Sequence, residues 1–223
     1  LKRYDPRLTL TPLVQDGCRA SVAQTLGIIE GPLRAMLSAE RVVLNFLQRL
    51  CGISTMTWKF VNAIRGTKAK IYDTRKTIPG WRELEKYAVR CGGGYNHRMN
   101  LGEAVMFKDN HFAELGRRFV PRLSRMVKEA REKYGIKWVA VEVDHVDNQL
   151  DHVLKIPGID IILLDNMGQW QLKHAVQMRD EMCGKRPLLE ASGGITLNNV
   201  LTVASCGVDR IAVGAITHSA VAA

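Results

Sequence analysis

Three groups of cations stand out between Asp73 and His111: Arg75-Lys76, His97-Arg98 and Lys108. Each ends or follows a short segment with strand character. A solvated charged face would scatter its cations at helical spacing. These sit instead at element ends, where loops build sites on a rigid scaffold. Arginine forks and a lysine point charge brought together would hold carboxylates or phosphates. The expected ligand is therefore small and highly anionic. Lys76 and Lys108 leave a second chemistry open, a Schiff-base lysine of the aldolase kind. That needs a depressed lysine pKa, which cationic neighbours would also supply.

Further along the chain, Ser192-Gly193-Gly194-Ile195 reads as a turn between a strand and a helix. Glycines there let backbone N–H groups approach an anion, and a helix N-terminus favours negative charge. Gly214-Ala215-Ile216 follows the next strand in the same way, with His218 just beyond. Two plain tight turns are the bland alternative. Glu142 and Asp165 end successive strands. They could salt-bridge arginines, or contact a sugar hydroxyl or a divalent metal such as Mg²⁺, which keeps waters and borrows phosphate oxygens. Asp144 shares a strand face with Glu142 and competes for that role. His97 is read first as a hydrogen-bonded structural residue, while His145, His152 and His174 lie on helical segments and look like surface. No histidine–cysteine cluster argues for zinc. Arg41, beside Glu40, is placed at the opening of a long helix. There a cation opposes the helix dipole, so it either pairs with Glu40 or reaches a site, its own or that of a neighbouring subunit.

These residues need a scaffold, and the pattern supplies one. Residues 1–38 carry short strands and the turn signals Asp16-Gly17 and Glu30-Gly31. They are too few to bury a core alone. From Ala39 a helical stripe runs through Val43, Phe46, Leu47, Leu50 and Ile53, with Gly52 as a candidate break before a second run to Ile64. Strand-like and helix-like pieces then alternate. The candidate strands are Ala69–Asp73, Tyr87–Cys91, Ala104–Phe107, Trp138–Val143, Asp160–Leu164, Pro187–Ala191 and Asp209–Val213. The candidate helices are Arg82–Val89 (competing with the second strand), Arg117–Tyr134, His145–Leu154, Gln169–Met182 and Leu197–Cys206. Alternating βα units point to a parallel sheet. Polar residues recur at nearly every strand C-terminus, including Lys108-Asp109-Asn110. That favours a barrel, whose loops converge on one mouth, over an open sheet with a single switch point.

Composition bounds the rest. The 223 residues are 46% hydrophobic and 24% charged, as in an ordinary globular domain. No apolar run approaches the roughly 18 residues of a membrane span, and no signal-peptide pattern opens the chain. The five scattered cysteines form no CxxC pair, which favours a reducing cytoplasm. A net charge of +10 admits nucleic acid or small anions. The absence of a basic block or a recognised binding motif favours small anions.

The run Glu40-Arg41, Leu44 to Arg49 and Gly52 to Thr55, then Asp73 to Thr77, Pro79-Gly80, Glu85 to Gly94, Asn96-His97-Arg98 and Lys108 to His111 resembles quinolinate phosphoribosyltransferase. This is the family of decarboxylating nicotinate-nucleotide pyrophosphorylases. Val141-Glu142-Val143, Leu164 to Met167 and Glu190 to Ile195 agree, so the similarity covers nearly the whole chain. The resemblance implies an α/β fold. Part of an open α/β sandwich (residues 1–38) precedes an irregular seven-stranded α/β barrel (residues 39–223), and subunits pair head to tail. It implies that quinolinate and phosphoribosyl pyrophosphate give nicotinate mononucleotide, pyrophosphate and CO₂, with Mg²⁺, for NAD biosynthesis. Quinolinate would meet Arg75, His97, Arg98 and Lys108, with Arg41 supplied by a partner subunit. Lys76, Glu142 and Asp165 would handle the phosphoribosyl pyrophosphate, its metal and its ribose, and are the expected catalytic residues. Thr74 would add a backbone or hydroxyl contact. Ser192, Gly193, Gly194, Gly214, Ala215, Ile216 and His218 would cradle the 5′-phosphate. Neither nucleic acid nor membrane is expected as a partner. Relative to the family pattern, the chain starts inside the sandwich and stops just past the last phosphate loop, so it is read as a fragment. Related possibilities are a nicotinate-specific or molybdenum-associated enzyme of the same fold. A catalytically silent basic binding module is the alternative of another class.

Overall fold

The computed structural model describes residues 1–108 and 119–223. The expected polar positions Asp109 and Asn110, the motif end at His111 and the helix start at Arg117 lie outside the described residues. Strands β1 (Thr9–Pro12) and β2 (Gly27–Glu30) form an antiparallel pair. Leu8 beside them packs on Ala35 and Ala39 in a small separate core. The two alanines belong to α1 (Leu33–Ala63), which runs through the expected domain boundary without a break.

Gly52 does not interrupt α1. A mid-helix glycine costs about 1 kcal/mol relative to alanine, and a tertiary contact explains its presence. A Cβ at Gly52 would collide with the carbonyl oxygen of Val221. The chain after the last strand crosses α1 there. Past Gly52, the buried residues Ile53, Thr57 and Phe60 turn the helix onto the main core.

Six parallel strands follow: β3 (Lys70–Tyr72), β4 (Val105–Phe107), β5 (Val139–Val143), β6 (Ile161–Asp165), β7 (Leu188–Ser192) and β8 (Arg210–Ala212). Their order in the sheet is β3-β8-β7-β6-β5-β4. On the open edge of β3, Tyr95 adds a single parallel bridge to Tyr72. The expected seventh strand is thus one bridge, and Tyr87–Cys91 is helical instead. Helix α2 covers Arg82–Cys91 and buries Glu85, Lys86, Ala88 and Val89 on one stripe, a spacing no strand provides. The remaining helices are α3 (Phe119–Tyr134), a π-helical turn (Val146–Leu150) leading into α4 (Asp151–Leu154), α5 (Gln169–Asp180), α6 (Val200–Ala204) and α7 (Ala215–His218). None of the described helices is long and apolar enough to cross a membrane.

Alternation along the strands sorts the two sheet faces. Val139, Val141, Val143, Ile162, Leu164, Leu189, Ala191 and Ile211 share the main core with helix residues such as Leu123, Val127, Leu172 and Val200. The other face carries Ala140, Ile161 and Leu163 with Met106 and Trp138 in a core of its own. Glu142, Asp165, Glu190, Ser192 and Arg210 occupy the same alternation. The helices therefore cover one face, and the charged residues stand on the other.

Candidate active site

Because the six strands are parallel, their C-termini share one rim. Around it come Lys108 after β4, Glu142 in β5, Asp165 ending β6, Ser192 ending β7, Gly214 after β8, and Thr74 to Lys76 after β3. Adjacent strands lie about 4.8 Å apart, so successive members of this series stand side by side along the rim. Register confirms the level, with Glu142 opposite Leu163 and Asp165 opposite Ser192.

The first grouping is Arg75 with Arg98. Burial, then the nearby charge of Arg75, pushes the Arg98 guanidinium below its usual pKa. Two cations held close together without an intervening acid create an anion site. Among the described residues neither arginine makes an ion pair, and the Arg75 Nε is buried with no hydrogen-bond partner. A buried orphan donor of this kind is costly unless a ligand satisfies it. Arg98 Nη1 donates to the Ala104 carbonyl at 2.7 Å, which fixes the guanidinium against the approach to β4.

A buried lattice holds this pair in place. Asp73 and Lys86 are both fully buried and meet at 2.5 Å. Asp73 Oδ1 also accepts the His97 N–H at 2.7 Å, and Oδ2 accepts Asn96 Nδ2 at 2.7 Å. Lys86 Nζ donates to the His97 carbonyl at 2.8 Å. The segment 96–98 is thereby bolted to the end of β3. Burial raises the Asp73 pKa and lowers that of Lys86, and their mutual attraction offsets this in part. Arg82 adds a second tie, from Nη1 to the Met99 carbonyl and from Nη2 to the Arg75 carbonyl.

His97 is buried and both of its ring nitrogens are used. Nδ1 accepts the Arg98 N–H at 2.9 Å, so Nε2 carries the hydrogen and faces Glu190 Oε1 at 3.1 Å. Glu190 is fully buried and also takes Arg210 Nε at 2.5 Å. Arg210 stacks 3.5 Å over the Tyr72 ring. Burial would raise the Glu190 pKa, but the His97 hydrogen bond and the Arg210 guanidinium hold it below its usual value. His97 in this arrangement orients the Arg98 backbone.

Lys108 Nζ meets both Glu142 oxygens, at 2.9 and 2.7 Å. Asp165 accepts from Ser192 Oγ at 2.9 Å and from Asn166 Nδ2 at 2.8 Å. The two carboxylates expected at a metal are thus already engaged. Among the described residues no group of three or more histidines, cysteines or acids could cage an ion. The arrangement fits a cation bound chiefly by substrate oxygens, with Glu142 and Asp165 reached through water. Asp144 lies one residue past β5, its N–H held by Gln149.

The end of the rim at Gly193 and Gly214 is built from backbone. Gly193 (φ 83°) leaves room for the Asn166 side chain, which a Cβ would strike. Gly194 (φ 58°) faces open space. Asn199 braces the turn by donating to the Gly194 carbonyl at 2.9 Å. Across the rim, Gly214 lies against the stem of Lys76 and the His218 ring. Thr217 Oγ1 donates to the Lys76 carbonyl at 2.8 Å, and Thr74 Oγ1 accepts the Lys76 N–H at 3.0 Å. The side chain of Ile216 is buried in the main core, and Ala215 packs against it, so these two offer only backbone.

Arg41 stands apart. Helix α1 starts at Leu33, so Arg41 is two turns inside it rather than at its opening. It is exposed and makes no ion pair with Glu40. Eight residues separate it from Arg49, about 12 Å along the helix axis.

Asp73, Lys86, Glu190, Arg210, Arg49 and Glu85 are working parts of the rim whose roles sequence reasoning missed. The available signal was a charge inside an apolar stripe. Glu190 sits between Leu189 and Ala191, and Lys86 lies on the buried face of α2.

The family model for the C-terminal domain of quinolinate phosphoribosyl transferase matches residues 53–223, and that for the N-terminal domain matches residues 2–51. A carboxylating nicotinate-nucleotide pyrophosphorylase from Mycobacterium leprae is 47% identical over 206 residues, 92% of this chain and 70% of the relative. A probable one from Bacillus subtilis is 41% identical, covering 92% of this chain and 68% of the relative. Among solved structures, NadC from Streptococcus pyogenes superposes with a TM-score of 0.89 at 37% identity, over 99% of this chain and 75% of that one.

Proposed function

This chain belongs to the quinolinate phosphoribosyltransferase family, and we propose that its rim performs the decarboxylating transfer in two adjoining halves. The activity is that of a pentosyltransferase acting on quinolinate and phosphoribosyl pyrophosphate in NAD biosynthesis. One observation carries the assignment of the halves: Arg75 and Arg98 sit close together, without acidic partners among the described residues, and one of their donors is buried and has no hydrogen-bond partner there. A ring bearing two adjacent carboxylates satisfies such a pair. Lys108 then contributes a third cation from the neighbouring strand, drawing on its contact with Glu142.

The phosphoribosyl end lies where Ser192 to Gly194 and Gly214 present backbone N–H groups, with Lys76 between them and the cation pair. The quinolinate ring nitrogen forms a bond to the anomeric carbon as the bond from that carbon to pyrophosphate oxygen breaks. The centre is oxocarbenium-like, as in glycoside hydrolysis, and Lys76 stabilises the departing charge. No general base is required, because the attacking nitrogen carries no proton. The nitrogen becomes cationic, and the carbon–carbon bond to the adjacent carboxylate then breaks. Its electron pair stays beside that positive charge, CO₂ leaves, and the carbon takes a proton. Mg²⁺, when bound, supplies charge neutralisation on pyrophosphate, with Glu142 and Asp165 as its water-mediated protein contacts. The rest of the acceleration is positioning.

The Arg41 side chain belongs to the site of a second subunit in a homodimer. It is exposed and makes no ion pair among the described residues, and Leu33, Leu37 and Val42 beside it are exposed apolar residues. Mixing Arg41→Ala with Arg98→Ala chains should recover activity in hybrid dimers, and no recovery would refute the exchange. The five free cysteines suit a cytoplasmic enzyme. Calorimetry tests the dicarboxylate assignment: quinolinate should bind at least about 100-fold more tightly than nicotinate. Equal affinities would assign the cation pair to another anion.

A further inference from the structure

We propose that Arg49 and Glu85 are positioning residues that set the phosphate end of the site independently of the dicarboxylate end. This rests on the reading that the turn after β8 seats a phosphate. Arg49, half-buried on α1, gathers three groups through four hydrogen bonds. Its Nε and Nη2 donate to Glu85 Oε1 at 3.2 and 2.7 Å. Its Nη1 donates to the Ala220 carbonyl at 2.9 Å, and its Nη2 also donates to the Thr217 carbonyl. Thr217 and Ala220 flank the C-terminus of α7, the helix that opens at Gly214. Glu85 is fully buried, and its second oxygen accepts the Ile78 N–H at 3.2 Å. Ile78 follows Lys76 by two residues, and Thr217 Oγ1 closes the circuit onto the Lys76 carbonyl.

One guanidinium thus fixes Lys76 and the Gly214 turn relative to each other. The same stretch of α1 seats the chain beyond them. The Gln48 carbonyl accepts the Ala223 N–H at 3.0 Å, and Gly52 leaves room for Val221. The Phe46 ring stacks flat on Trp81 at 4.3 Å and pins the far end of the Lys76 loop. None of these contacts ends on Asp73, Lys86 or the Met99 and Arg75 carbonyls that Arg82 holds; the two networks meet at Thr77, whose hydroxyl accepts Arg82 Nε at 3.1 Å. Disturbing Arg49 should therefore move one half of the site and spare the other. Lysine cannot replace it, because a single ammonium does not span a carboxylate and two carbonyls as the planar fork does.

The test compares Arg49→Lys and Glu85→Gln with wild type, by steady-state kinetics in each substrate and by calorimetry with quinolinate. The KM for phosphoribosyl pyrophosphate should rise about tenfold, with quinolinate affinity within about twofold of wild type. The near-isosteric Thr217→Val removes the hydroxyl that reaches the Lys76 carbonyl and, at 3.1 Å, the Gly214 carbonyl, and leaves the Arg49 fork in place. It should raise the same KM about threefold even if the other variants fold poorly. Equal losses toward both substrates, or an unchanged KM for phosphoribosyl pyrophosphate, would overturn the proposal. The functional reading is judged separately: it fails if wild-type protein does not bind quinolinate.

Discussion

The two halves of the rim are built on opposite principles. At the dicarboxylate end, charged side chains make the site, and a fully buried ion pair, Asp73 with Lys86, holds them. At the proposed phosphate end, backbone and small residues make the site, and hydrogen bonds from Asn199, Thr217 and the Arg49–Glu85 pair brace it from behind. The difference follows from the ligands each end is assigned. A flat ring with two carboxylates must be met at fixed angles, so guanidinium planes are locked from beneath. A phosphate is nearly spherical and presents several equivalent oxygens, so converging N–H groups suffice. The first design stores its cost in desolvated charge, and the second in glycine conformations that no other residue adopts easily.

This contrast can be broken at either end, with effects of different size and kind. Lys86→Met should be the most damaging change. It leaves Asp73 charged and buried without its partner, a loss of about 3–5 kcal/mol that chemical denaturation would measure. A shift under about 1 kcal/mol would show that Asp73 is neutral or solvated. Arg98→Ala should spare stability but lower kcat/KM for quinolinate by about 100- to 1,000-fold, as expected for removing a desolvated charge pair. Binding of ribose 5-phosphate should stay near wild type; parallel loss of both would merge the two halves into one. Gly193→Ala places a methyl against Asn166 in a left-handed conformation. It should raise the KM for phosphoribosyl pyrophosphate about tenfold, with quinolinate affinity kept.

The smallest effect is on pH. The Glu190 carboxyl is held below its usual value, so the unfolded chain binds its proton first as pH falls. The stability it contributes is complete above its unfolded value of 4.5 and disappears as pH drops through the lower folded value. Glu190→Gln should flatten that acid limb in thermal melts run below pH 4.5. An unchanged limb would assign acid sensitivity to other carboxylates, such as Asp209, which Leu189, Lys68 and Arg179 also hold low.

How much of this was readable beforehand depended on whether the cause was local. The β-branched runs at Val139–Val143 and Ile161–Leu164 announced buried parallel strands, because their burial on a helix-covered face is written in composition. The cations at strand ends and the Ser192-Gly193-Gly194 turn were legible for the same reason. Gly52 was misread as a helix break, since what it accommodates is a segment distant in sequence, near Val221. Tyr87–Cys91 carried both periods, and only packing against α1 decides for a helix. Asp73, Lys86 and Glu190 were visible as residues of the family pattern but not as partners. Nothing in a one-dimensional pattern says that Lys86 faces Asp73 or that Glu190 bridges His97 to Arg210. The ring of His97 belongs to that bridge and Arg41 stands mid-helix, and neither placement could be read from the pattern.

The central claim is that Arg75 and Arg98 seat a ring dicarboxylate whose carboxylate next to nitrogen is lost after transfer. The most direct test follows CO₂ released from quinolinate labelled at that carboxylate, with phosphoribosyl pyrophosphate and Mg²⁺ present. Labelled CO₂ and nicotinate mononucleotide should appear one for one, and nicotinate offered in place of quinolinate should give no nucleotide. Nucleotide formed from nicotinate at a comparable rate, or no CO₂ from quinolinate, would contradict the account.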